Sequence, residues 1–210
     1  MTTVLIVDDH PAIHLILRVQ LLQVLNVRNV LEASDGKAAL DAARLRRPDL
    51  VILDLDIPDI SGLEVIIRLR TLYPSLPILV LSGLSPAIFS LRAMRLGARG
   101  FVSKQRDMAD IMRCVGAVLA GHSLLPGDPL STGPHPGGRA GDLDRLQQLT
   151  DREITILQML AKGMSNAEIA KLEYVSNKTV SSHKIRIMRK LEVTTLVELV
   201  DYARRYHLAM

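Results

Sequence analysis

Two kinds of periodicity divide the chain. Up to residue 121, short apolar runs alternate with stretches of helical period. Val4–Val7, Asn29–Ala33, Leu50–Asp54, Ile78–Leu81 and Gly100–Val102 read as strands. Leu50-Val51-Ile52-Leu53 and Ile78-Leu79-Val80-Leu81 have no polar face, as suits parallel strands covered on both sides. Amphipathic stretches near 11–25, 37–46, 62–72, 86–96 and 107–120 follow the strands in turn. Ser61 and Glu64, three apart, predict a capping box at the start of the third. Five strands alternating with five helices predict an α/β fold with a doubly wound parallel sheet.

From Gly121 to Gly141, ten of 21 residues are Gly or Pro and no apolar period survives. This stretch predicts an exposed flexible linker, assigned to 122–144, between a domain at 1–121 and a second at 145–210. The second domain has no strand alternation. Thr150/Glu153, Ser165/Glu168 and Thr195/Glu198 are three further capping-box pairs, and Ser176 is an N-cap before the longest basic helix. Four helices are expected, with a tight pair bracketed by Gly163 and the turn at Glu173–Val175.

Charge sharpens the contrast. Residues 1–121 carry 14 basic and 12 acidic side chains, whereas 145–210 carry 11 and 7. Within 178–190 there are five basic residues and no acid. That is a footprint suited to a phosphate backbone as well as to a solvated helix face. A single cysteine, Cys114, excludes a disulfide framework within one chain. No apolar stretch approaches the length of a bilayer crossing, and the first residues lack a signal-peptide pattern, so a cytoplasmic protein is expected.

Ligands of open α/β sheets bind beyond the carboxyl ends of the strands. Asp8 and Asp9 end the first strand and Asp54 the third; Ser82 follows the fourth and Lys104 the fifth. Taken singly, Asp8-Asp9 could be a helix cap, Ser82 a turn residue and Lys104 a surface lysine. Together they converge on one edge, which points to a site. Clustered carboxylates need a cation, and an all-oxygen set favours Mg²⁺. A carboxylate facing Mg²⁺ can attack a phosphoryl group, with Lys104 as a compact charge beside it.

VLIVDDH at 4–10, LVILDLDIPDISGLEV at 50–65, LVLSGL at 79–84 and GARGFVSK at 97–104 resemble the receiver domain of response regulators. The resemblance implies a flavodoxin-like five-stranded sheet and a phosphoacceptor at Asp54. It places Asp8 and Asp9 as the acidic pair, and Mg²⁺ on Asp9, Asp54 and the backbone carbonyl of Asp56. Ser82 matches the switch hydroxyl, Phe101 the switch aromatic and Lys104 the pocket lysine. Two positions depart from the pattern: Gln105 stands where proline usually follows the lysine, and Phe101 lacks a tyrosine's hydroxyl.

On a helix stepping 100° per residue, Val180, Ile187 and Leu191 form a narrow apolar stripe. Lys178, Ser182, Ile185 and Arg189 lie opposite, flanked by Ser181 and Arg186. Lys184 sits toward the stripe with its amine free to reach outward. Lys and Arg can grip phosphates there, while Ser and Ile can approach base edges and thymine methyls. His183 reads as a packed or phosphate-facing side chain rather than a metal ligand. Residues 149–193 resemble the four-helix output domain of the NarL/FixJ (LuxR-type) regulators, and the wording at 163–166, 176–181 and 196–199 resembles the BvgA/EvgA branch. That resemblance implies a helix-turn-helix with recognition helix 177–190, DNA contacts from Lys178, Thr179, Ser181, Ser182, Lys184, Ile185, Arg186 and Arg189, and a dimer helix near 195–206. Leu196, Val197, Leu199, Val200 and Ala203 give that last helix more apolar surface than a small domain easily buries.

The expected function is a two-component transcription regulator, not an enzyme. Its partners would be a sensor histidine kinase, an inverted-repeat operator and a second copy of the chain. Two alternatives remain open at this point: a regulator that binds DNA without phosphorylation, and a haloacid-dehalogenase-type phosphatase using Asp54-Leu55-Asp56. In such phosphatases the motif normally follows the first strand rather than the third.

Overall fold

The computed structural model describes residues 2–23, 27–124 and 140–208. The chain forms two compact units that divide between residues 134 and 135.

The first unit runs β1 (Thr2–Val7), α1 (Pro11–Gln23), β2 (Val27–Ala33), α2 (Gly36–Leu45), β3 (Leu50–Leu53), α3 (Gly62–Leu72), β4 (Ile78–Ser82), α4 (Pro86–Arg95), β5 (Gly100–Ser103) and α5 (Met108–Leu119). All pairings are parallel, in the order β2-β1-β3-β4-β5. Alternate residues of each strand serve opposite faces. Val4, Ile6, Leu50, Ile52, Leu79, Leu81 and Val102 form one core with Leu17 and Leu21 of α1 and Ile111, Cys114, Val115 and Val118 of α5. Leu5, Val7, Val51, Leu53, Val80 and Phe101, on the alternate positions, are also buried. The solid apolar runs are therefore explained by burial on both faces.

The register sets the site. Val7 pairs with Leu53, Leu53 with Val80, and Ser82 with Ser103. Backbone bonding continues one residue beyond the strands: Asp8 N donates to Ala33 O at 3.0 Å, Asp54 N to Val7 O at 2.8 Å and Lys104 N to Ser82 O at 2.9 Å. The polar residues are thus held at one sheet edge by the same ladder that holds the core.

Ser61 caps α3 by accepting from Glu64 N at 3.4 Å, but the Glu64 side chain turns to Arg68 Nε at 2.7 Å. The expected capping box is therefore only half formed; an i,i+4 ion pair wins the carboxylate. Gly62, the first residue of α3, must lack a side chain, because a Cβ there would stand 2.5 Å from Leu55 Cα and 2.7 Å from Asp54 O. That close approach seats α3 directly beside the backbone of Asp54.

The second unit contains α6 (Ala140–Gln147), α7 (Asp151–Ala161), α8 (Asn166–Leu172), α9 (Asn177–Leu191) and α10 (Leu196–Arg205). The four helices read from the sequence are α7–α10, and the three capping boxes at Thr150, Ser165 and Thr195 are all present. α6 is an addition that starts inside the stretch read as linker. It is held by partners distant in sequence: Tyr202 Oη donates to Asp142 O at 3.2 Å, Tyr206 Oη bonds the Asp142 carboxylate, and Arg145 meets Glu192 at 2.6 Å.

The linker's expected start is also corrected. His122 N donates to Ala117 O, Leu124 N donates to Arg99 O at 2.7 Å, and Leu124 is buried against Gly100, where a Cβ would stand 2.9 Å from its own. Residues 122–124 therefore belong to the first unit. The remainder of the expected linker before α6, residues 125–139, lies outside the described residues.

Among the described residues, no helix is long and apolar enough to cross a membrane.

Candidate phosphoacceptor pocket and nucleic-acid interface

The edge of the sheet gathers Asp8, Asp54, Ser82 and Lys104 as the spacing predicted. Asp54 is almost fully buried. Its Oδ1 accepts from Ser82 Oγ at 2.6 Å and from Asp56 N at 3.1 Å, and its Oδ2 accepts from Lys104 Nζ at 2.5 Å. Lys104 Nζ also lies 2.7 Å from Asp8 Oδ2. Burial disfavours the Lys104 ammonium, but the charge of Asp54 and its hydrogen bonds to Asp54 and Asp8 outweigh this and hold it above the ordinary lysine range. Both oxygens of Asp54 are therefore oriented by donors. Ser82 Oγ further accepts from Leu84 N at 3.3 Å, so the loop after β4 is tied to the Asp54 carboxylate.

Asp9 is exposed at the rim. One ligand atom from each of Asp8, Asp9, His10 and Asp54 lies within 4.8 Å of the others. His10 was not anticipated: its Nδ1 is 2.7 Å from Asp9 Oδ1 and 3.1 Å from Asp8 Oδ1, and its backbone N donates to Asp8 Oδ1 at 3.0 Å. The signal was present in the run Asp8-Asp9-His10, where an imidazole directly follows two carboxylates. Asp56 is buried and contributes its backbone N to Asp54; its carboxylate is outside the gathered group. Phe101 is buried in β5 with its backbone paired to Val80.

In the second unit, the predicted stripe of α9 is realised: Val180, Ile187 and Leu191 are buried, while Lys178, Ser182, Ile185, Arg186 and Arg189 are exposed. Thr179, Ser181, His183 and Lys184 are half-buried. The turn before α9 is fixed by Val175 N donating to Ala170 O and by Arg152, which meets both Glu173 O and its carboxylate. Asn166 of α8 donates from Nδ2 to Ser181 Oγ at 3.0 Å, a brace between the two helices that the sequence did not reveal. His183 is packed, with its Nδ1 buried and unpartnered.

Lys190 departs from the rest of the cationic run. Its Nζ bonds the buried Glu153 at 2.6 Å and Gln148 O at 3.0 Å, so it closes the domain instead of facing outward. Burial opposes the Glu153 carboxylate, yet bonds from Lys190 and Thr150 hold its pKa below the ordinary value. A carboxylate whose folded pKa is depressed contributes stability above its unfolded pKa, and that contribution fades as pH falls through the acid range. Glu153→Gln is expected to cost about 2 kcal/mol at neutral pH and to flatten the acid dependence, read as faster amide hydrogen exchange in α7 and α9.

On α10, part of the five apolar residues is expected to meet a partner. Leu199 and Ala203 are fully buried within the domain. Leu196, Val197 and the half-buried Val200 remain, with Val197 71% exposed.

Residues 4–115 match the response regulator receiver domain, and residues 147–203 match the bacterial regulatory proteins of the luxR family. The virulence factors putative positive transcription regulator BvgA of Bordetella pertussis is 42% identical over 98% of both chains. A putative transcriptional regulator of Pseudomonas aeruginosa is 45% identical over 99% of this chain and all of its own length. Among solved structures, RcsB of Salmonella enterica serovar Typhimurium, bound to promoter rprA in the presence of phosphomimetic BeF3-, superposes with a TM-score of 0.78 at 31% identity, covering 97% of this chain and 99% of that one. With both halves matched in order and relatives aligned end to end, the chain belongs to the two-component response regulators of the NarL/FixJ type, in which a receiver domain is joined to a LuxR-type DNA-binding domain that regulates transcription.

Proposed function

We propose that Asp54 is the phosphorylated residue, that a sensor histidine kinase is the donor, and that phosphorylation promotes pairing of two chains on an inverted-repeat operator in the cytoplasm. The observation that carries this reading is the Asp54 carboxylate, buried at the sheet edge with Ser82 and Lys104 on its two oxygens. Asp8, Asp9 and Asp54 bring three carboxylates together, with the Lys104 ammonium against Asp8 and Asp54. Such a donor set fits a hard divalent cation. Asp9, Asp54 and the backbone carbonyl of Asp56 would hold Mg²⁺, with Asp8 beside them. When bound, Mg²⁺ neutralises charge on the transferring oxygens.

An Asp54 oxygen forms the new bond to phosphorus while the bond to the donor's imidazole nitrogen breaks. Lys104 and Ser82, already aimed at the carboxylate oxygens, then donate to the phosphoryl oxygens. Drawing Ser82 toward the phosphoryl group pulls on the loop tied to it through Leu84, and Phe101 is the buried aromatic that answers this movement. At the far end of the chain, Lys178, Lys184, Arg186 and Arg189 would engage phosphates, with Thr179, Ser181, Ser182 and Ile185 facing the groove. Exposed Leu196 and Val197 on α10 support pairing there. Two-fold pairing would set recognition helices about one DNA turn, roughly 34 Å, apart. The Gly/Pro-rich stretch between 125 and 139 serves as the tether.

Incubation with acetyl phosphate tests the pocket. The intact mass should gain one phosphoryl group with Mg²⁺ present and none when it is chelated, because the carboxylates are then uncompensated. Equal labelling with and without the metal contradicts the assignment.

A further inference from the structure

We infer that Ile185 reads the 5-methyl group of a pyrimidine in the major groove, so that each operator half-site presents thymine, or 5-methylcytosine, to this side chain. The inference rests on the DNA-binding reading above and names what that interface discriminates.

Ile185 is a large aliphatic side chain left 66% exposed on α9. At 100° per residue it lies about 20° from Lys178 and about 40° from Arg189 around the helix. Both cations are exposed, so the residue sits within the face that would meet phosphates. A β-branched side chain is disfavoured at an exposed helical position, where Lys, Arg or Gln would serve the helix better. Helix stability therefore does not account for it.

Its polar neighbours are engaged. Ser181 Oγ accepts from Asn166, Ser182 Oγ donates to Lys178 O at 2.9 Å, and Thr179 Oγ1 shares a hydrogen bond with Ser176 Oγ at 2.8 Å. To donate to a base, Ser182 must first break or share its bond to Lys178 O, and Ser181 and Thr179 must take a base beside bonds already made, whereas Ile185 has no bond to surrender. Base edges in the major groove are mostly donors and acceptors, and the one methyl group among them is at C5 of thymine. An aliphatic side chain carried into that groove by flanking cations gains only where that methyl is present. Uracil and cytosine lack it, and 5-methylcytosine restores it.

The test uses the full chain, treated with acetyl phosphate and Mg²⁺, and duplexes recovered by repeated selection from a random pool. Each thymine of the half-site is replaced in turn by uracil. At one position per half-site, wild-type binding should weaken about 4-fold, as expected when one buried methyl is removed. At that same position, 5-methylcytosine should bind more tightly than cytosine by a similar factor. In Ile185→Ala the thymine and uracil duplexes should bind alike there, while Ile185→Val, which keeps a branched aliphatic side chain, should retain the discrimination. A uracil penalty of equal size in wild type and Ile185→Ala, or no penalty at any thymine, overturns the inference. In either of those cases, salt-sensitive binding to duplex leaves the DNA-binding reading standing; absence of all duplex binding overturns both.

Discussion

Asp54→Asn should lose the phosphoryl group from its intact mass, with labelling by acetyl phosphate slowed by on the order of 1,000-fold or more, the scale of loss when an enzyme is deprived of its nucleophile. The substitution keeps the shape of the side chain and an oxygen able to accept from Ser82 and from Asp56 N. It removes the anionic nucleophile and half of the charge that holds Lys104. The fold should survive, because one carboxylate fewer lessens the repulsion among Asp8, Asp9 and Asp54. Lys104 keeps Asp8 at 2.7 Å as its partner. Intact mass, read beside the thermal unfolding curve, separates lost chemistry from lost structure. Labelling of Asp54→Asn in the same yield as wild type would move the phosphoacceptor elsewhere.

The second large effect is on DNA. Lys178→Ala and Arg189→Ala should each weaken binding to every duplex sequence, by about 10-fold at low salt. Each should also reduce the slope of log affinity against log salt by about 0.9 for every phosphate no longer neutralised, and by about twice that when two protomers bind. Both side chains are exposed on the outward face of α9, and their removal leaves the buried stripe of Val180, Ile187 and Leu191 untouched. Lys190→Ala is the informative contrast. It removes the same charge from the same helix, but from a side chain held by Glu153 and Gln148 O. Its effect should appear as domain stability, with the salt slope little changed. Identical salt slopes for Lys178→Ala, Arg189→Ala and wild type would place the DNA surface off α9.

These contrasts show where sequence reasoning reached and where it stopped. The pocket was legible because parallel strands project their last residues toward one edge, so Asp8, Asp54, Ser82 and Lys104 could be assembled from strand ends alone. The stripe of α9 was legible because its period is local. What the sequence concealed depends on partners far along the chain. α6 carries only Leu143 and Leu146 as large apolar residues; it is anchored by Tyr202 and Tyr206 some sixty residues on. Leu124 looked like linker until Gly100 supplied a place for it. Leu199 and Ala203 share helical spacing with Leu196 and Val200, and only the packing of α10 on its own domain separates core from surface. Nothing local to Ser181 announces Asn166 as its donor. Leu199→Asp would therefore damage the domain's core, whereas Val197→Asp places a charge on exposed surface and isolates pairing.

The central claim is that a phosphoryl group on Asp54 pairs two chains and thereby strengthens DNA binding. It is tested most directly by measuring solution mass and affinity for one selected operator duplex, in wild type and Asp54→Asn, each with and without acetyl phosphate and Mg²⁺. Treated wild type should shift toward twice the mass and bind more tightly, with a steeper salt dependence, while Asp54→Asn changes in neither respect. Treated wild type that carries the phosphoryl group, yet keeps the mass and operator affinity of the untreated protein, would contradict it.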